Sequence, residues 1–154
     1  MKRLTKKVLI DIPAEKAFQN FVHAFNEWWP KEYTWSQQKL VKINIEPKKN
    51  GLCTETGPYG FRCDWGRVTE YTENQKIGIK WQISPNREPI PNPENASDIE
   101  IIFLSNEKAT TVTLKHFNFD KHGEGGENYC SMMDSEYGWK YILKCFKDFC
   151  EKEL

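Results

Sequence analysis

The feature that most constrains this chain is an apolar stripe near its end. From Ser131 to Glu153, Met132, Glu136, Trp139, Ile142, Leu143, Phe146, Phe149 and Cys150 recur at three- and four-residue steps, and all but Glu136 are apolar. That spacing predicts one long amphipathic helix whose greasy face must be covered by another element. Ser131 followed by Asp134 reads as its N-terminal cap, the hydroxyl taking a free backbone N–H and the carboxylate facing the positive end of the dipole. Gly138 interrupts the pattern at a cost of about 1 kcal/mol against alanine. A glycine there points to something packed close to the helix backbone.

The cover is read from the segments upstream, most of which alternate with a period of two. Val8, Ile10 and Ile12 form a first strand that Pro13 stops. A helix follows, with Ala14, Ala17, Phe18, Phe21, Val22 and Phe25 on one face, and Trp28-Trp29-Pro30 closes it. Further strands are predicted over Val41 to Ile45, Leu52 to Thr56, Phe61 to Tyr71, Ile77 to Ile83, Ile99 to Leu104 and Thr110 to Phe117. Gly66 inside one of them suggests a bulge or the close approach of another backbone. Residues 84–97 hold Pro85, Pro89, Pro91 and Pro93, too long and stiff for an ordinary hairpin loop, and read as a lid or an interaction loop. The order of strand, helix, about six strands and helix is an α+β order, with no linker or repeat to divide residues 1–154 into more than one domain.

Composition narrows the function classes. Lys plus Arg and Asp plus Glu both total 22, so no net field draws in nucleic acid or an anionic membrane, and neither is expected as a partner. No apolar run approaches the roughly 20 residues of a membrane span, and the basic start runs into Val8-Leu9-Ile10 without the core of a signal peptide. The five cysteines are odd in number and contain no C-x-x-C pair, which fits reduced thiols in a cytoplasm. They and the three histidines lack ligand spacing, so no metal is expected. Gly123-Glu124-Gly125-Gly126 is followed by no Lys-Ser/Thr and would repel a phosphate. There is no Gly-x-Ser-x-Gly elbow for a serine nucleophile, and no cofactor is expected.

Ile12-Pro13-Ala14-Glu15-Lys16-Ala17-Phe18, Trp28-Trp29-Pro30, Trp65-Gly66-Arg67-Val68, Leu114-Lys115-His116 and Gly138-Trp139 form a familiar combination. Together they resemble the activator of heat-shock ATPase homologue family, within the START-like (SRPBCC) superfamily of helix-grip folds. The resemblance covers almost the whole chain. It implies a curved antiparallel sheet of about six to seven strands wrapped around a long C-terminal helix, with short helices after the first strand and a hydrophobic cavity between sheet and helix. It also leaves room for a homodimer and for a chaperone contact. The chain shows no counterpart of the extra N-terminal domain of full co-chaperones, so stimulation of a chaperone ATPase is not expected.

Alternation nominates residues to line such a cavity: Cys63 and Trp65 from the long strand, Trp81 from the next, Phe103 and His116 from the last hairpin, Met132 and Trp139 from the helix. Trp28, Trp29, Tyr33 and Trp35 could close its mouth. For each aromatic the alternative of plain core filling stays open. His116 is the best polar handle, either binding a ligand and moving a proton or serving as a core imidazole satisfied by a neighbour. Glu55 and Arg67 are secondary candidates whose direction depends on whether Gly66 marks a bulge. The leading expectation is a protein that holds an apolar or amphipathic small molecule. A cyclase- or hydrolase-like enzyme, needing His116 and a carboxylate such as Glu55 to converge, is the second, and a co-chaperone-type interaction module the third.

Overall fold

A computed structural model describes residues 2–152. Seven strands, β1 Leu4–Ile10, β2 Lys42–Ile45, β3 Leu52–Thr56, β4 Arg62–Thr72, β5 Lys76–Trp81, β6 Ser97–Asn106 and β7 Ala109–Phe117, form one sheet. Their spatial order is β1-β7-β6-β5-β4-β3-β2, and every neighbouring pair is antiparallel. The sheet is curled into a half-barrel, the α+β helix-grip arrangement expected from the sequence. Helices α1 Ala14–His23 and α2 Phe25–Trp28 follow β1, and α3 Gly126–Met133 and α4 Trp139–Glu151 follow β7. No helix among the described residues is long and apolar enough to cross a membrane.

Helix α1 begins where Pro13, in an extended conformation, hands the chain to Ala14. It buries Ala17, Phe18, Phe21 and Val22. Phe18 and Phe21 meet Phe103 of β6 at ring distances of 5.2 and 5.8 Å, and Phe21 also meets Phe146 of α4 at 5.3 Å. These edge-on contacts join α1, the sheet and α4 into one core.

The terminal stripe does not form a single helix. Its expected end at Glu153 lies outside the described residues, and its expected start is mid-helix: Ser131 Oγ donates to the carbonyl of Glu127, one turn back in α3. Asp134 is ion-paired with Lys6 at 2.8 Å. The chain breaks over residues 134–138, and the geometry explains why. At about 100° per residue, an unbroken helix would aim the buried Tyr129 and Cys130 of α3 roughly 130° away from the buried stripe Trp139, Ile142, Leu143, Phe146 and Cys150 of α4. The break lets both faces reach the interior. Gly138 is the hinge, capping α4. A Cβ built there would stand 2.1 Å from the Met133 carbonyl oxygen, so the backbone packed against this glycine is the end of α3 itself.

Gly66 serves both purposes expected of it. The β3–β4 register shifts, with Cys53 opposite Gly66 and Thr54 opposite Asp64, which leaves Trp65 as the extra residue of a bulge. A Cβ on Gly66 would lie 2.8 Å from the Lys80 carbonyl oxygen and 2.9 Å from an Ile79 methyl. The bulge switches the inward set from Cys63 and Trp65 to Gly66 and Val68. Arg67 is therefore turned off the interior and reaches the Asn50 carbonyl at 3.4 Å.

The proline-rich segment folds back on itself as a compact tongue. Ile83 bridges Pro89, the Ile90 N–H donates to the Gln82 carbonyl at 2.9 Å, and the Gln82 side chain returns a bond to the Ile90 carbonyl at 2.8 Å.

Candidate functional site: an aromatic cavity between sheet and helices

The curled sheet, the segment after α2, the tongue and the C-terminal helices meet around one opening. They enclose a cavity of about 640 Å³. The sheet contributes Glu55 of β3, Trp65 of β4 and Trp81 of β5, with Ile43 of β2 beside them. The segment after α2 adds Trp29, Tyr33 and Trp35. The tongue supplies Ile83, Pro85 and Arg87. Opposite stand Tyr129, Met132 and Met133 of α3, Tyr137 and Gly138 of the break, and Ile142 of α4.

Two hydrogen bonds tie the tongue to the segment after α2. Arg87 Nη2 donates to the Tyr33 carbonyl at 2.6 Å, and Trp35 Nε1 donates to the Arg87 carbonyl at 2.7 Å. On the other side, Tyr33 Oη donates to the Tyr137 carbonyl at 2.7 Å. These bonds link three segments of the rim that are far apart in sequence.

The wall is mostly apolar, with seven aromatic side chains and few polar atoms. Trp81 Nε1 donates to Tyr129 Oη at 2.7 Å, which in turn donates to the Ile83 carbonyl at 2.9 Å. Burial pushes the Tyr129 phenol up to about 12, so it stays a neutral donor and acceptor. Trp65 Nε1 is buried with no hydrogen-bond partner among the described residues. Glu55 is fully buried. Its Oε2 accepts from the Ser36 N–H at 2.8 Å and the Ser36 hydroxyl at 2.7 Å, and its Oε1 accepts from the Trp35 N–H at 3.1 Å.

Of the residues nominated from the sequence, Trp29, Tyr33, Trp35, Trp65, Trp81 and Met132 lie in this wall, together with the secondary candidate Glu55. Trp28, Cys63, Phe103, His116 and Trp139 do not. Trp28 is packed into the core against Phe21, Phe25 and Phe146, with its Nε1 donating to the Phe21 carbonyl. Phe103 is occupied by α1. Cys63 pairs in register with Glu55, and burial, with Glu55 and Asp64 nearby, pushes its thiol up to about 11.

His116 is the core imidazole of the two readings left open for it. Trp139 Nε1 donates to its Nδ1 at 2.9 Å, which places the proton of the neutral ring on Nε2. That N–H faces Ser97 Oγ at 2.8 Å, and the hydroxyl donates onward to His122 Nε2 at 2.7 Å. Burial, and then the neighbouring His122, hold the His116 pKa well below the usual histidine value. His116 lies outside the wall that Glu55 lines, so the acid–base pair required for the enzyme reading does not share the cavity.

Sequence reasoning missed Ile43, Ile83, Pro85, Arg87, Tyr129, Met133, Tyr137 and Ile142. The tongue residues had a signal, the proline run. Tyr129 had none, because its partners are 46 and 48 residues away. The described residues hold no cluster of His, Cys, Asp and Glu able to bind a metal, and all five cysteines are free.

Solved structures share this architecture. An anthrahydroquino-gamma-pyrone synthase, Txn09, complexed with a molecule designated SUM, is 25% identical, with 96% of each chain covered and a TM-score of 0.68. CalC, a self-sacrificing resistance protein from Micromonospora echinospora, is 23% identical over 99% of this chain and 96% of its own, with a TM-score of 0.69. The Aha1 dimer from Colwellia psychrerythraea is 17% identical over 99% of this chain and 98% of its own, with a TM-score of 0.65. No curated protein matches. The sequence pattern described as "Activator of Hsp90 ATPase homolog 1-like protein" matches residues 11–151, and the chain belongs to that family.

Proposed function

We propose that the protein binds a flat, largely apolar small molecule in the cavity between the sheet and helices α3 and α4. The observation that carries this reading is the cavity itself, about 640 Å³ with seven tryptophan and tyrosine rings in its apolar wall. Pockets for small ligands typically measure about 300–1,000 Å³ and combine apolar walls with a few placed polar groups. Ring faces favour stacking against a planar ligand, and Glu55, the Tyr129 hydroxyl and the unpartnered Trp65 N–H offer polar anchors. The likeness to a synthase solved with a bound molecule supports the same use of the fold.

Four of the six tryptophans, Trp29, Trp35, Trp65 and Trp81, line the cavity, so intrinsic fluorescence is a direct readout. Titration with planar polycyclic aromatics should give a saturable change. At a free ligand concentration of about 100 times Kd, the melting temperature should rise by about 5–10 °C, corresponding to roughly 2.7 kcal/mol of linkage. A panel that produces neither a saturable signal nor a melting shift refutes the reading.

A further inference from the structure

Resting on the cavity-binding reading, we propose that the ligand presents a protonated amine to Glu55. Glu55 is the only charged side chain among the buried residues described, at 0% exposure, and it lines the cavity. Burying a carboxylate without a counter-charge is costly, and proteins ordinarily pair such a group. No ion pair to Glu55 forms among the described residues. Its three donors are two backbone N–H groups and a hydroxyl, all neutral.

The distribution of those donors matters. Each carboxylate oxygen has two lone pairs. Oε2 receives both Ser36 bonds, whereas Oε1 receives only the Trp35 N–H. One acceptor position on Oε1 therefore receives no donor from the described residues. Glu55 has no exposed surface in this conformation, so a ligand N⁺–H reaches Oε1 as the side chains of the wall shift, and there it completes the hydrogen bonding and supplies the missing positive charge. The tryptophans of the wall, Trp29, Trp35, Trp65 and Trp81, reinforce the preference, since indole faces attract cations and repel anions. The other charged group lining the cavity, Arg87, is exposed and bonded to the Tyr33 carbonyl. Solvent screens its pull on an anion. The interior is thus acidic, and the only cation among the lining residues is in contact with water.

The test uses three probes that share a ring system and differ in charge: 2-(aminomethyl)naphthalene, 2-(hydroxymethyl)naphthalene and 2-naphthoate, titrated by calorimetry into the wild-type protein at pH 7. The amine should bind about tenfold or more tighter than the alcohol, the factor expected of one charge-assisted hydrogen bond, and naphthoate should bind most weakly. The amide resonances of Trp35 and Ser36, which donate to Glu55, should move further with the amine than with the alcohol. Glu55→Gln should bring amine and alcohol to within about threefold of each other, the charge being gone. An alcohol or naphthoate that binds as tightly as the amine overturns the proposal while leaving the cavity reading intact. So does an amine preference that survives in Glu55→Gln or leaves the two amides unmoved. Absence of binding by all three overturns the cavity reading, and the amine with it. If Glu55→Gln does not fold, the wild-type probe series and the two amide shifts decide.

Discussion

Removing one hydroxyl tests the buried chain that holds the last strands against α4. Ser97, the first residue of β6, receives the His116 Nε2–H and donates to His122. The direction of every bond is set by the first donor, because an indole N–H can only donate, and Trp139 Nε1 faces His116 Nδ1 at 2.9 Å. In Ser97→Ala the His116 N–H loses its only acceptor among the described residues, in a site of 0% exposure with the Phe119 ring 4.0 Å from the imidazole. A stranded buried donor costs about 1–3 kcal/mol. His122 loses less, since the Ser97 backbone N–H still reaches its Nε2 at 3.3 Å. The expected loss is about 2 kcal/mol, or roughly 4–8 °C in Tm for a domain of this size. Urea unfolding followed by tryptophan fluorescence should show a lower midpoint with an unchanged slope. Ligand affinity should not change, because His116 is outside the cavity wall. A variant within about 0.5 kcal/mol of wild type, the range of an ordinary surface change, refutes these bond directions. So would ¹⁵N shifts placing the His116 proton on Nδ1.

Gly138→Ala should destabilise the protein by about 1–3 kcal/mol, as overpacking against backbone does. The new methyl must retreat from 2.1 Å to at least 3.4 Å from the Met133 carbonyl oxygen, about 1.3 Å, and the obstacle is backbone. The substitution should also weaken ligand binding through the wall, and a variant as stable as wild type removes the hinge argument. Stability should fall as the medium is acidified below about pH 6.5. Burial lowers the pKa of both His116 and His122 from 6.5 in the folded state, so the unfolded chain takes up protons the native chain refuses. The contribution is whole above 6.5 and is lost as pH drops from there toward the depressed folded values. Urea midpoints between pH 7.5 and 5 should show this slope, and a flat profile counts against buried neutral rings.

The sheet was legible because one buried face forces a period of two, and β2, β3 and β7 keep it over most of their length. The bulge at Gly66 was legible because glycine has few other uses inside a strand. The break in the terminal stripe was not, since Met132 and Glu136 fit the helical spacing whether or not the backbone continues through them. What decides it is that Tyr129 must reach Trp81 and Ile83, contacts that local periodicity cannot contain. The cavity was legible only as a face. Cys63 and Trp65 share that face, as do Ile79 and Trp81, yet only Trp65 and Trp81 reach the wall. Trp28 and Trp29 are adjacent and take opposite roles. Alternation tells in from out but not depth along the strand, and depth separates a core ring from a wall ring. Aromatic abundance is thus a poor guide to the site, because core and cavity draw on the same residues. A charge at an inward position is a better one. Glu55 follows Cys53 on the buried face of β3, where no packing argument accounts for a carboxylate. The donors that hold it and the position it leaves open argue for a ligand of a particular polarity.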